Sequence, residues 1–541
     1  MKTKSIITCL LLSSMGLGGL SSCTDLDEHI YSEIIADDLK PTEDDVISVI
    51  APAYTAMRDV LFGWTGFFDV QEESSDEIVT PGRPGGWIDG GIYKTMHCHT
   101  WTSLQSHLSG VWTNIYSGVN YCNRYIYQLE SGELNVNETL KKSLVAELRA
   151  MRCLYYYLLL DNFRNVAFID KFDVPDDYLP EQISSDKLYE WIESELKTVI
   201  PELSEEVNES TYGRMTKWAA TFLLARLYLN SEVYINQPRY DECAQLCTDI
   251  MESGEYTLAE NFKDNFVTEN ENCPELILAV TFDEQLGGNF HYHMKTLHNE
   301  NQKTYNMIVQ PWGGSCAIPQ FINTYDPDDG RLADTWISGQ QYDWQGNKLY
   351  CSVEASRKDD PLIFTNTATH IDLCKEDEGY RLGKYEIKMG ALGSLSNDFP
   401  FFRYADVYLM KAECLLRTGK SGAGELVTEV RRRNFKSTPS KAIVSDEDLK
   451  KGSCYDYGEF HDGAFVDEQG GNDIQFGRLL DEYGWEFAGE AHRRMDLIRF
   501  GVFTTKKWFC KTNINDAKRV YFPIYETVLN DNPNLKQNEG Y

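Results

Sequence analysis

Residues 218–228 read WAATFLLARLY, and their spacing decides the fold of the chain. One face of the predicted helix carries small and large apolar residues in turn: Ala220, Leu224, Ala225 and Tyr228. A second predicted helix begins near Tyr240 and carries Ala244. Small residues at fixed offsets let two helices approach closely, and the large ones fill the gaps between them. The stretch therefore predicts a helix packed against the next helix along the chain.

Other segments repeat this periodicity and come in pairs. They are residues 45–62, 109–129, 138–163, 185–203, 402–416 and 424–433, with a break at Gly419 between the last two. The spacing A-x3-L-A-x2-Y followed by Y-x3-A is that of tetratricopeptide repeats. We predict a mainly α fold with a tetratricopeptide-like helical-repeat scaffold.

Two long irregular regions interrupt the helices, at about residues 64–102 and 270–400. Both are rich in Gly, Trp, Asn, Asp and Tyr. Loops of this length inside a folded body usually carry function. Because no linker of biased composition separates the segments, we predict a single domain over residues 23–541, with a loop-rich, ligand-binding region.

The first 22 residues have the composition of a signal peptide. Lys2 and Lys4 precede an apolar stretch at about 6–20, which is too short to span a bilayer. The run Leu-Ser-Ser-Cys at 20–23 predicts cleavage before Cys23 and lipidation of its thiol. The alternative is an ordinary secretory signal with an incidental cysteine. Several acyl chains on Cys23 would anchor the protein to a membrane, whereas one chain holds only marginally.

The mature chain would be strongly acidic. Cleavage leaves 519 residues (541 − 22) and removes two lysines and no acids, so the net charge changes from −33 to −35. Nucleic acid is excluded as a partner because it needs a basic face. No later segment has 18 consecutive apolar residues, so we expect no other membrane span.

Motifs of familiar enzymes are missing from the sequence. It contains neither HExxH nor GxSxG, and the TGKS run at 418–421 has Cys414 where a P-loop needs its first glycine. Two His-x-His pairs, His97/His99 and His291/His293, have no clear third ligand, so no metal site is predicted. We expect no cofactor. The scattered cysteines form no CxxC, and we predict free, mostly buried thiols.

Aromatic residues are the chemical feature of the irregular regions. The chain has 11 Trp and 32 Tyr, and several of the tryptophans lie between the helices. Flat aromatic rings match the C–H faces of sugars, while Asp, Asn and Arg bind sugar hydroxyls. Residues 75–91 hold both kinds of group. The alternative is that these tryptophans pack the loops onto the helical body.

Five blocks carry a resemblance to a known family. They are residues 75–102 (SDEIVTPGRPGGWIDGGIYKTMHCHTWT), 147–163 (ELRAMRCLYYYLLLDNF), 401–419 (FFRYADVYLMKAECLLRTG), 481–501 (DEYGWEFAGEAHRRMDLIRFG) and 532–541 (NPNLKQNEGY). Together with Cys23 they resemble the SusD/RagB-like outer-membrane lipoproteins, the nutrient-capturing partners of SusC-like TonB-dependent transporters.

The resemblance implies a surface-exposed, lipid-anchored protein of the outer membrane that binds glycan without catalysis and delivers it to such a transporter. It also implies a glycan site with an aromatic arc and polar contacts: Trp87, Trp312, one of Phe290 and Tyr292, Asp89, Arg83 and Asp76. A surface glycoside hydrolase and a peptide- or glycopeptide-binding member of the same architecture stay open as alternatives. A structural calcium ion is also left open.

The charged residues of the last large block have a structural interpretation. Their helical spacing predicts salt bridges within the scaffold, with Arg403 as a further participant: Glu486, Glu490, Arg493, Arg494 and Asp496. We therefore expect these groups to stabilise the fold and not to catalyse a reaction.

Overall fold

Helices form most of the regular structure in the computed structural model, which describes residues 43–62, 65–85 and 88–541. They are α1 (Glu43–Ile50), α2 (Pro52–Phe62), α3 (Phe67–Glu72), α4 (Ile92–His97), α5 (Ser106–Ser131), α6 (Glu138–Phe163), α7 (Ser185–Val199), α8 (Lys217–Leu229), α9 (Ser231–Ile235), α10 (Tyr240–Ser253), α11 (Tyr292–Thr296), α12 (Asn301–Thr304), α13 (Pro319–Ile322), α14 (Gly330–Thr335), α15 (Tyr404–Arg417), α16 (Ala423–Arg432), α17 (Asp446–Leu449), α18 (Gly477–Phe487), α19 (Arg493–Arg499) and α20 (Glu526–Asp531). Short 3₁₀ turns lie at Asp89–Gly91, Ile200–Glu202, Phe262–Asn265, Ala355–Arg357, Pro439–Ala442 and Ala517–Val520. The predicted mainly α fold is confirmed.

Strands are short and paired two by two. They are β1 (Ile78–Val79), β2 (Val166–Ala167), β3 (Gln182–Ile183), β4 (Leu276–Val280), β5 (Cys316–Ala317), β6 (Trp336–Ile337), β7 (Gly339–Gln340), β8 (Ile363–Phe364), β9 (Arg381–Leu382), β10 (Phe399–Arg403), β11 (Gly458–His461) and β12 (Ala464–Glu468). All the pairs are antiparallel: β1–β5, β2–β3, β4–β10, β6–β9, β7–β8 and β11–β12. The β1–β5 pair joins the first irregular region to the second, with Ile78 opposite Ala317.

Successive long helices pack side by side, as the spacing of residues 218–228 predicts. The contacting pairs are α5–α6, α6–α7, α8–α10, α10–α15 and α15–α16. Gly118 on α5 shows why small residues are needed, because a Cβ there would lie 2.1 Å from the Tyr155 ring of α6. The Asn137 side chain caps α6 by accepting from the Leu140 amide, and Gly132 ends α5 in a left-handed conformation.

Two predicted helical segments are divided in the structure. Residues 45–62 form α1 and α2 because Pro52 cannot continue the first helix. Residues 481–501 form α18 and α19, separated by a turn in which Gly489 and Ala491 have positive φ. The expected helical spacing therefore does not run through this block, although its charged groups are paired.

A buried ion network joins α18 to four other parts of the chain. Arg403 Nη1 lies 2.8 Å from both Glu275 Oε1 and Glu486 Oε1, and its Nε lies 2.7 Å from Glu490 Oε2. Arg331 reaches Glu486 at 3.1 Å. Burial would raise the pKa of Glu275, but the arginines around it lower that pKa to about 2. The predicted salt bridges are confirmed; most partners lie far apart in sequence, whereas Asp496 pairs with Arg499 three positions further on.

The structure also bears on the predictions about the cysteines and about membrane spans. The twelve cysteines from Cys98 to Cys510 all have free thiols, and eight of them are buried. No helix among the described residues is both long and apolar enough to cross a membrane. Residues 1–22 and Cys23 lie outside the described residues.

Candidate functional site

Trp312 lies at the mouth of a cavity of about 220 Å³, and 44% of its surface is exposed. The other lining residues come from five segments of the chain: Arg83, Pro84, Gly85, His298, Asn299, Gln310, Pro311, Gly313, Val353 and Glu376. The His291 ring packs beside the indole, with 5.7 Å between ring centroids. The cavity therefore has one broad aromatic side and a rim of amide, imidazole and backbone groups, which suits a ligand with both C–H faces and hydroxyls.

The backbone around Trp312 is fixed by hydrogen bonds to α11. The Trp312 amide donates to the Met294 carbonyl at 2.7 Å, and the Gly314 amide donates to the Lys295 carbonyl at 2.7 Å. Gly313 between them has a φ of +75°, a conformation that favours glycine. The loop that carries the indole is thus held by main-chain atoms on both sides.

The side chain of Lys295 anchors α11 to α3 beneath this loop. Its ammonium lies 2.6 Å from Asp69 Oδ1 and 2.7 Å from Glu73 Oε1, and all three groups are largely buried. Burial alone would lower the pKa of Lys295, but the two carboxylates outweigh it and hold the pKa well above its usual value. The ammonium is therefore charged at every physiological pH and keeps α11 in place.

Arg83 is buried and binds three backbone carbonyls from two loops. It donates to Gly314 at 2.8 Å, to Lys375 at 2.6 Å and to Glu378 at 3.0 Å. A guanidinium used in this way holds the cavity wall together. The predicted sugar contact is thus a residue of the wall, and its hydrogen-bonding groups point into the protein.

Glu376 also lines the cavity, and its carboxylate is saturated with hydrogen-bond donors. Its carboxylate accepts from the amides of Ser352, Val353 and Glu354 at 2.8 to 3.0 Å and from His298 Nε2 at 2.9 Å. Burial would raise its pKa, but these hydrogen bonds lower the pKa to about 2. His298 Nδ1 accepts a hydrogen bond from the Glu300 amide, so Nε2 is the protonated ring nitrogen and donates the hydrogen bond to Glu376. Burial also lowers the pKa of His298, which keeps the imidazole neutral.

Trp87 and Asp89 are two other residues predicted for the binding site. Trp87 falls outside the described residues. Asp89 is exposed, has a φ of +42° and begins the 3₁₀ turn Asp89–Gly91. It does not line the Trp312 cavity. Its place in the binding site stays a prediction.

Three predicted contacts are wrong because their side chains are buried. Asp76 is fully inaccessible and holds Arg493 in a two-pronged ion pair, with Oδ1 to Nε at 2.7 Å and Oδ2 to Nη2 at 3.1 Å. Phe290 is also inaccessible and stacks on Phe62 at 4.5 Å. Tyr292 packs on Phe68 at 4.6 Å. None of the three has a surface that a glycan could contact.

Sequence reasoning did not identify the polar side chains of His298, Asn299 and Glu376, which line the cavity, or His291, which packs on Trp312. One signal was available for His291, because it belongs to a His-x-His pair that was considered only for metal. In the structure His291 packs on Trp312, whereas His293 hydrogen-bonds the Leu392 carbonyl at 2.8 Å. His97 and His99 likewise bind the carbonyls of Phe509 and Ser74. Within the described ranges, no three or more His, Cys, Asp or Glu residues are arranged to hold a metal ion.

Comparisons with known proteins cover nearly the whole chain. Family models described as "SusD family" and "Starch-binding associating with outer membrane" match residues 274–541 and 86–229. A SusD-like protein of Bacteroides ovatus is 31% identical over 398 residues, covering 71% of this chain and 69% of its own length. The starch-binding protein SusD of Bacteroides thetaiotaomicron is 25% identical over 523 residues, covering 88% and 86%.

Solved structures show the same fold. Surface glycan-binding protein A from Bacteroides thetaiotaomicron, in complex with laminarihexaose, superposes with a TM-score of 0.70 at 20% identity, covering 92% of this chain and all of that chain. A laminarin-binding SusD-like protein superposes with the same TM-score at 21% identity, covering 93% of this chain and all of its own.

Proposed function

The chain belongs to the SusD family, and on that premise we propose that it captures glycan at the cell surface without catalysing a reaction. The single observation that carries this proposal is the half-exposed Trp312 at the cavity of about 220 Å³. A concave site that combines an aromatic side chain with a few convergent polar groups is the usual form of a small-ligand site.

The chemistry of the cavity supports binding and not hydrolysis. Glycoside hydrolases use two carboxyl groups on either side of the scissile bond, one of them with a raised pKa. Among the described lining residues Glu376 is the one carboxyl group, and its pKa of about 2 leaves it without a proton to donate. Its oxygens are occupied by three amides and an imidazole.

The names of the relatives suggest which glycans to test first. Starch and laminarin are the ligands named for similar proteins, and both are neutral glucans. A neutral ligand also suits the chain's net charge of −33, because an acidic polysaccharide would be repelled. We further propose that Cys23 carries the lipid anchor, that the protein sits on the outer membrane, and that it hands its ligand to a SusC-like TonB-dependent transporter.

Native affinity electrophoresis tests the proposed binding. The mature chain, made without its lipid, is run through gels that contain soluble starch, laminarin, xylan, galactomannan or yeast mannan. We expect retardation by at least one neutral polysaccharide and no release of reducing sugar from it. Migration unchanged by all five would contradict glycan binding, and release of reducing ends would favour the hydrolase alternative.

A further inference from the structure

Residues 339–364 form a small three-stranded unit beside the Trp312 cavity. The three strands are β7, β8 and the segment 348–351 between them. Backbone hydrogen bonds of 2.9 Å join each strand to both of the others. The Gln341 amide donates to the Leu362 carbonyl, the Leu349 amide to the Gln341 carbonyl, and the Leu362 amide to the Leu349 carbonyl. Their inward side chains form a separate hydrophobic core: Leu349, Cys351, Leu362 and Phe364. The unit is therefore stabilised without its outward side chains.

The outward side chains of this unit include three exposed aromatic rings. Tyr342 is 44% exposed, Trp344 58% and Tyr350 47%. Tyr342 is paired with Lys348, so Tyr350 lies diagonally across the ladder on the same face, where Cα atoms are about 7–8 Å apart. Trp344 stands at the turn, where the Asp343 carboxylate accepts from the amides of Gln345 and Asn347. Rings that leave the core and gather on one unit are typical of a binding surface.

Two connections make this unit continuous with the Trp312 cavity. The Trp344 amide donates to the Lys303 carbonyl of α12 at 3.0 Å, and Asn301 at the start of α12 donates to the buried Gln341 side chain at 3.2 Å. The turn just before α12 supplies His298 and Asn299 to the cavity. After Tyr350 the chain runs into Ser352–Glu354, the amides that bind Glu376.

We propose that Tyr342, Trp344 and Tyr350 form a second stacking face for the glycan chain that occupies the Trp312 cavity. The inference rests on the proposed glycan-binding function and extends the site to a longer ligand. The three residues are called the hairpin face below.

The surroundings of the hairpin face favour a neutral polysaccharide as its occupant. The rings alternate with exposed polar groups, among them Gln345, Asn347 and Lys348, which can bind sugar hydroxyls. The cores of protein interfaces are instead depleted in charged groups. Ile363 of β8 is the one large aliphatic side chain exposed on this unit, at 39%, whereas Leu286, Ile308 and Met389 on other loops are 56–91% exposed.

Two stacking surfaces on one body make affinity depend on ligand length. Tyr350 lies three residues from Val353 of the cavity, so an oligosaccharide of several rings can reach both surfaces. A disaccharide at the Trp312 cavity is too short to do so, whereas a polysaccharide can bind both surfaces at once. The second contact is then intramolecular and increases the apparent affinity without any change at the first.

The test compares polysaccharide and disaccharide binding by the mature chain. The probes are soluble starch with maltose and laminarin with laminaribiose, measured by isothermal titration, with affinity gels for the polysaccharides. The variant carries Tyr342→Ala, Trp344→Ala and Tyr350→Ala. We expect its polysaccharide affinity to fall at least 10-fold while its disaccharide affinity stays within twofold of wild type. Trp312→Ala should weaken the binding of both probes.

A matched control removes three exposed rings from the helical side of the molecule, with Tyr121→Ala, Phe172→Ala and Tyr178→Ala. These side chains are 36–45% exposed, and their loss should leave both affinities unchanged. If the triple hairpin variant does not fold, Trp344→Ala alone replaces it, because that residue is the most exposed of the three.

Each remaining outcome decides the question. Wild-type polysaccharide affinity in the hairpin variant overturns the inference and leaves the Trp312 site intact. If the hairpin variant keeps wild-type polysaccharide affinity but no longer co-purifies with a transporter, the hairpin face binds a protein partner, and the inference is also overturned. Failure of the unmodified protein to bind any of the four probes overturns the inference for neutral glucans, and the wider polysaccharide panel then decides whether the proposed function falls with it.

Discussion

Trp312→Ala is the substitution that tests the binding site most directly. The exposed 44% of this side chain corresponds to ~110 Å² if a whole Trp side chain presents ~250 Å². At about 25 cal/mol per Å², covering that area with a sugar contributes at most ~2.7 kcal/mol. Part of this is offset by the cost of ordering the ligand, so we expect a loss of about 1–2.5 kcal/mol, or roughly 5- to 60-fold in Kd.

The assay is titration of the variant with the polysaccharide that binds the wild-type chain. The buried part of the indole also contributes to folding, so the melting temperature should fall, and binding is measured well below it. Trp218→Ala is the matched control, because Trp218 is a half-buried tryptophan on α8 whose indole donates to the Glu205 carbonyl at 2.9 Å. A folded Trp312→Ala variant with wild-type affinity would refute the stacking argument.

Three further results are expected. Glu376→Gln should lower the melting temperature at pH 7. The pKa of Glu376 is about 2 in the folded protein and about 4.5 when unfolded, so its carboxylate stabilises the fold above pH 4.5 and this stabilisation is lost as pH falls toward 2. The difference in melting temperature between wild type and variant should therefore shrink in melting curves taken from pH 5 down to 2.5. A difference that stays constant over this range would contradict the assignment. Arg403→Met removes the guanidinium shared by three buried carboxylates, each of which keeps at least one other cation, so chemical denaturation should show a loss of about 3 kcal/mol, the lower end of the range for a broken buried pair, with Arg432→Met on the exposed side of α16 as control. Cys23→Ala should release the protein from outer membranes in a strain without the transporter partner; retention at high salt would disprove the anchor.

The helical scaffold could be predicted because its residues follow a period. The predicted helix at 138–163 has the observed bounds of α6, and the break at Gly419 lies just after α15, where that glycine has a φ of +69°. A packed helix needs apolar residues at every third or fourth position, so a local sequence pattern is enough to predict it.

The binding site could be predicted only in part, because irregular segments have no period. Phe290, His291 and Tyr292 are consecutive, yet only His291 lies beside Trp312, while its two neighbours are in the core. The partner of Asp76 is Arg493, more than 400 positions away, and nothing local distinguishes that ion pair from a sugar contact. The walls of the Trp312 cavity come from segments that only the tertiary fold brings together.

The way the Trp312 loop is attached has a consequence for how specificity can change over evolution. The loop is held through the carbonyls of Met294 and Lys295 and through the Arg83 guanidinium, which also binds only carbonyls. Every residue type supplies the same carbonyl group, so substitutions at positions such as Gln310 or Asn299 leave those attachments unchanged. The side chains that line the cavity can thus be exchanged one at a time, so a change of ligand does not require the protein to pass through an unfolded intermediate.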